Sequence, residues 1–189
     1  LASHAFGATG SAGGSSYAPV MTADAERIAF ESLATDLVDP AAIADPNGSK
    51  SDVFVFDQAS GTNQLISVRT DGTATAVEAS YAPVITPDGL RVAFLSRARD
   101  LVTLFPVLPQ SPIPLAYIRD LGTQTTTLIT NRPAGTLGVS LRETTPTVVS
   151  ADSQWLAIST TNSFVGILLR RVADGGLRYS PVGALHPSL

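Results

Sequence analysis

Cysteine is missing from the chain altogether. Its absence excludes a disulfide framework, a thiolate zinc centre and a cysteine nucleophile. Histidine is nearly missing too: the two in the chain, His4 and His186, stand close to its ends. A serine nucleophile needs an imidazole to take its proton and a carboxylate to orient that imidazole, and the sequence holds no Gly-x-Ser-x-Gly elbow. No catalytic residue is assigned, and the expectation is that the chain is not an enzyme. Ser15, Ser16 and Ser140 stand near glycines and read as loop serines. Charge is sparse at 15%. Twelve basic against sixteen acidic residues leave a net charge of −4, which argues against a nucleic-acid partner, since such proteins show a basic patch. No run approaches the roughly 20 apolar residues of a membrane-spanning helix. The longest, residues 164–169, stops at Arg170 and Arg171 and has the length of a buried strand.

At 44%, the hydrophobic content is too high for a disordered chain, and 189 residues suit one domain or part of one. Residues 1–14 are rich in Gly, Ser and Ala, without the basic and apolar regions of a signal peptide. The opening at Leu1 suggests a piece of a longer chain or a processed form.

The chain repeats itself. YAPVMTADAERIAFES (17–32) and YAPVITPDGLRVAFLS (81–96) are identical at ten of sixteen positions, at an offset of 64 residues. The match extends to Asp36, Leu37 and Val38 against Asp100, Leu101 and Val102. A weaker third copy brings Asp152 a further 64 residues on. DVFVFD at 52–57 is answered by LAYIRD at 115–120, each followed eight residues after its Asp by Leu65 or Leu128.

Each unit reads as four strands. In the second unit the first two are residues 82–86 and 91–96, joined by the turn Pro87, Asp88 and Gly89; Pro presets φ, Asp bonds the backbone ahead of it and Gly takes positive φ. Third strands are expected at 53–56 and 116–119, and a fourth at 64–68. A four-stranded antiparallel unit repeated in tandem must bury its faces against its neighbours, which is the logic of a propeller blade. The expected fold is all-β: a propeller segment of three four-stranded antiparallel blades, either a partial propeller or half of a ring. The organisation is a Gly/Ser-rich segment (1–14), blade 1 (15–78), blade 2 (79–143) and blade 3 with a tail (144–189).

Residues 80–96 (SYAPVITPDGLRVAFLS), 117–120 (YIRD) and 128–130 (LIT) resemble the WD40-like (PD40) repeats of the TolB-like propeller family. The first and third units depart from that pattern where Ala23, Asp24 and Ala25, or Ala151, Asp152 and Ser153, replace Pro-Asp-Gly, which leaves their turn geometry open. The resemblance implies a rigid, non-enzymatic protein-binding scaffold, exported to the periplasm or the cell exterior. It equally implies the alternative of a propeller belonging to a larger serine peptidase whose hydrolase domain lies outside this chain. Because three blades are fewer than the ~4–8 of a closed ring, the expected partners are a second copy completing six blades or the remaining blades of a longer chain.

Two segments are candidate sites. Asp45, Asn47 and Asp52 frame a Gly48 turn resembling the front of a calcium loop, although Phe56 stands where an EF-hand would place its last carboxylate and Lys50 adds an opposing charge. No other cofactor is expected. Residues 104–109 form an apolar, Pro-rich insertion, and Leu104, Phe105, Val107 and Leu108 are the candidate partner contacts. The recurring acids Asp24, Asp88, Asp152, Asp57 and Asp120 are assigned to turn chemistry. Arg97 and Arg99 are read as a solvated loop pairing with Asp100.

Overall fold

A computed structural model describes residues 1–103, 114–129, 147–160, 166–172 and 177–181. Among these residues twelve strands form three four-stranded antiparallel sheets, each in simple up-and-down order. Blade 1 holds β1 (Ser16–Met21), β2 (Arg27–Ser32), β3 (Asp52–Asp57) and β4 (Thr62–Leu65). Blade 2 holds β5 (Ser80–Ile85), β6 (Arg91–Ser96), β7 (Leu115–Asp120) and β8 (Thr125–Leu128). Blade 3 holds β9 (Val148–Val149), β10 (Trp155–Thr160), β11 (Gly166–Arg171) and β12 (Leu177–Pro181). The all-β architecture of three consecutive blades read from the repeat is the observed one.

The blades pack face to face in chain order. Successive side chains of a strand point to opposite faces, and a blade with neighbours on both sides must be apolar on both. β6 shows this: Val92 and Phe94 face blade 1, while Ala93 and Leu95 face blade 3. The first core joins Ala29, Val53 and Val55 of blade 1 to Phe94, Leu115 and Tyr117 of blade 2. The second joins Leu95, Ala116 and Ile118 of blade 2 to Leu156 and Ile158 of blade 3. A third cluster, Phe30, Phe54 and Leu65 with Leu37, lies on the opposite face of blade 1. Stacked rings recur at matching positions, Phe30 on Phe54 and Phe94 on Tyr117. Each such side chain contributes about 1.5–3 kcal/mol of burial.

Local sequence explains two irregularities. Pro19 and Pro83 have no N–H to give a ladder, and in both blades the register shifts around them, between Tyr17 and Val20 and between Tyr81 and Val84. The residues just before them, Ala18 and Ala82, take φ of 48° and 52°. The fourth strand of blade 1 ends at Leu65 rather than at residue 68. There the amides of Ile66 and Ser67 both converge on the Val53 carbonyl, at 2.8 and 3.4 Å, and the chain turns out of the sheet.

Candidate functional site

The recurring acids all do the same local work. In blade 1 the Thr22 hydroxyl donates to Asp24, which also accepts the Glu26 N–H at 3.0 Å, and the Arg27 N–H returns to Thr22 Oγ1 at 3.1 Å. Thr86, Asp88, Leu90 and Arg91 repeat the pattern in blade 2. Ser150, Asp152, Gln154 and Trp155 repeat it in blade 3. The Thr22 and Ser150 hydroxyls, with the backbone amides, hold Asp24 and Asp152 below the usual carboxylate range. The turn is therefore the same in all three blades, including the two without Pro-Asp-Gly.

Asp57 and Asp120 end their third strands and cap the next turn, accepting the amides of Ser60 at 3.0 Å and of Thr123 at 2.9 Å. Those backbone bonds lower both carboxyls. Each also pairs with the arginine opposite it in the sheet, Arg27 at 3.3 Å and Arg91 at 2.9 Å. The recurring serines are equally occupied: Ser16 donates to Ser32 at 3.0 Å, and Ser80 to Ser96 at 2.9 Å.

The densest polar cluster lies where the loop before β3 meets the connector between blades 1 and 2. Asp52, 3% exposed, accepts the Ser67 hydroxyl at 2.8 Å on one oxygen and the Asn47 amide at 3.0 Å on the other. Burial pushes its carboxyl up to about 7, against the opposing pull of those two donors. Asn47 Nδ2 also donates to the Ala76 carbonyl at 2.7 Å, and its Oδ1 is enclosed without a partner. Asp45 accepts the Gly48 amide at 3.1 Å and the Thr75 hydroxyl at 3.0 Å. Lys50 reaches the Val77 carbonyl at 3.1 Å and Glu78 at 2.7 Å.

Asp45, Asn47 and Asp52 thus lie in one neighbourhood. The Asn47 amide presents its donor end to Asp52, and both acids are engaged by protein donors. Among the described residues no group of three or more His, Cys, Asp or Glu side chains is placed to hold a metal ion. The arrangement pins the loop before β3 onto the outgoing connector. Ser67, Thr75 and Asp100 complete this region, and the sequence named none of them as a site residue. Asp100 carried a signal, since it repeats Asp36; Ser67 and Thr75 carried none.

Other sequence assignments fall as follows. His4 lies against blade 1, its ring edge-on to Phe56 and its Nε2 3.0 Å from the Gly61 carbonyl oxygen. Arg99 is not solvated as the sequence suggested. It is 8% exposed, because its guanidinium folds back to donate to the carbonyls of Arg97 and Ala98. Leu104, Phe105, Val107 and Leu108, like His186 and Ser140, lie outside the described residues.

Comparison with solved structures places this architecture among propellers. TolB from Acinetobacter baumannii superposes with a TM-score of 0.53 at 18% identity, over 88% of this chain and 32% of that one. The propeller domain of the Trilobed protease from Pyrococcus furiosus gives 0.57 at 13% identity, over 90% of this chain and 44% of that one. Dipeptidyl peptidase 4 from Porphyromonas gingivalis gives 0.53 at 12% identity, over 86% of this chain and 25% of that one. At these identities the likeness shows the fold: a β-propeller segment. The chain spans between a quarter and a half of the length of these proteins. No protein-family model matches the sequence, and no curated protein matches it.

Proposed function

We propose that this propeller segment is a non-enzymatic scaffold that binds protein partners through the loops joining its strands, in an exported, TolB-like protein. One observation carries the reading: the acids and serines that recur from blade to blade are taken up by turns and strand pairing. A frame built this way holds loops rigidly, and loops held on a rigid frame are where binding function concentrates. The apolar segment 104–109 is the proposed contact, through Leu104, Phe105, Val107 and Leu108.

A second reading is favoured by the peptidase propellers among the structural neighbours. In it the segment serves as the propeller of a larger serine hydrolase whose chemistry lies in another domain. The two readings separate experimentally. Partners captured from a cell-envelope extract of the source organism are identified, purified and rebound to the chain. Under the scaffold reading, Phe105→Ser weakens rebinding at least tenfold and leaves the melting temperature within a degree or two. A fall in stability of several kcal/mol would instead place Phe105 in a core and remove it as a contact. Turnover of peptide or ester substrates by the purified chain, blocked by a serine-directed inhibitor, would overturn the non-enzymatic assignment.

A further inference from the structure

Residues 1–14 look from their composition like a featureless lead-in. Their hydrogen bonds say otherwise. His4 bridges to Ser11 as Val68 bridges to Thr75. The Ala12 amide donates to the Ser3 carbonyl at 3.0 Å, and Ala76 to Ser67 at 2.9 Å. Ala5 donates to Gly10 at 3.1 Å, and Arg69 to Ala74 at 3.0 Å. Ala8 donates to Ala5 at 3.1 Å, and Gly72 to Arg69 at 2.9 Å. Phe6 donates to the Asp36 carbonyl at 2.7 Å, and Thr70 to that of Asp100 at 3.0 Å. The Gly13 amide reaches both Asp36 carboxylate oxygens at 2.9 and 3.1 Å, and Val77 reaches both of Asp100 at 3.4 and 3.3 Å. Every pair is offset by 64 residues, the period of the repeat.

Residues 65–78 are the path by which the chain leaves blade 1 and enters blade 2. Residues 1–14 therefore trace the path by which a chain leaves a blade and enters blade 1. The face they lead to is only partly covered. Met21 is 64% exposed, whereas its counterpart Ile85 is 7% exposed beneath blade 1. Pro19 is exposed and Pro83 buried.

We propose that this face of blade 1 is the seat of a further blade of the same repeat, whose last strand runs directly into Leu1. That blade covers Met21 as blade 1 covers Ile85. It brings to the Ala18 amide an acceptor corresponding to Glu31, which receives the Ala82 amide at 3.1 Å. A second copy of this chain fits the seat less well, because residues 1–14 already occupy the place of the connector that leaves the covering blade.

The test duplicates residues 15–64 in front of Leu1, so that Gln64 of the copy runs into Leu1 as it natively runs into Leu65. Replacing the copied methionine by isoleucine, the residue of blade 2, leaves the original Met21 as the single methionine, as it is in the parent. A second fusion substitutes residues 65–78 for residues 1–14 behind the same extra blade. Oxidation of Met21 by dilute hydrogen peroxide is followed by mass spectrometry in the parent and both fusions. The expected result is a monomeric, fully exposed parent and at least tenfold slower oxidation in a folded fusion. Oxidation at the parent's rate in folded fusions, or failure of both to fold, overturns the proposal. So does a parent whose Met21 becomes protected as a dimer appears in light scattering, because the second copy is then the occupant.

Discussion

The residue after the turn aspartate sits in the left-handed region in all three blades: Ala25 at φ 60°, Gly89 at 68° and Ser153 at 57°. Only blade 2 has glycine there. An L-residue pays roughly 1–2 kcal/mol in that region, less the entropy that glycine loses on folding. Ala25→Gly is therefore expected to raise stability by about 0.5–1 kcal/mol. Gly89→Ala is expected to lower it by more, because its Cβ would also stand 3.3 Å from the Thr22 methyl group. Urea unfolding of both variants checks this, and equal midpoints would remove the conformational argument. Asp52 makes a different residue-scale prediction. Its folded value of about 7 is above the ordinary 3.8, so the folded state holds that proton where the unfolded chain has released it. Stability from this group is present below pH 4 and is lost as pH rises towards 7, with a slope of up to about 1.4 kcal/mol per pH unit. The lowered carboxyls, Asp24, Asp57, Asp71, Asp120 and Asp152, act in the opposite sense: their stabilisation is present above pH 4 and lost as pH falls through their folded values. Thermal melts are expected to peak between these limits, near pH 4–5, and to decline towards pH 7. Asp52→Asn flattens the decline; an unchanged slope in that variant would assign it to another group.

At the scale of the strand and the connector, what could be read from sequence followed how directly side chains specify the element. β6 and β7 alternate under double burial, and their residue types placed them to within a residue. The turn before β2 was legible as an Asp turn, but its geometry in blades 1 and 3 was not, because non-glycine residues there adopt positive φ under the hold of Thr22 or Ser150. The end of β4 was misplaced because a backbone convergence on Val53, invisible in side-chain pattern, ends the ladder. The connector at residues 1–14 was missed for the same reason. It shares four of fourteen residues with 65–78, Leu1, Ser3, Thr9 and Ala12 answering Leu65, Ser67, Thr73 and Ala76, while most of its equivalence lies in amide–carbonyl bonds. Its one side-chain mark is Asp36, the match of Asp100, which the repeat displayed and whose purpose only the structure explains. The Asp45, Asn47 and Asp52 neighbourhood was legible as a cluster, but its partners Ser67 and Thr75 lie on the connector, and nothing local announces them.

At the scale of the whole molecule, the described residues of each blade pack mainly on the blade next to it in the chain, so stability is set by blade-to-blade interfaces. Blade 2 has two. On one side Arg27 donates to the Gly89 carbonyl at 2.6 Å and Gln64 to Gln124 at 2.7 Å, around the core of Phe94 and Tyr117. On the other the Asp88 amide donates to Ser153 at 3.1 Å and Arg170 to the Leu128 carbonyl at 2.8 Å, around Leu95 and Ile118. Blade 1 has one complete interface and the partial cover of residues 1–14. Losing a flanking blade costs blade 2 one interface; opening blade 2 costs both. Amide hydrogen exchange is therefore expected to be slowest in β6 and β7, which exchange only on global unfolding, and at least tenfold faster in β1, where sub-global opening suffices. Equal exchange in β1 and β6 would mean that the three blades open as one cooperative unit. In that case residues 1–14 would bind blade 1 as firmly as a neighbouring blade does, and the exposed edge at Met21 would be a finished surface instead of a seat.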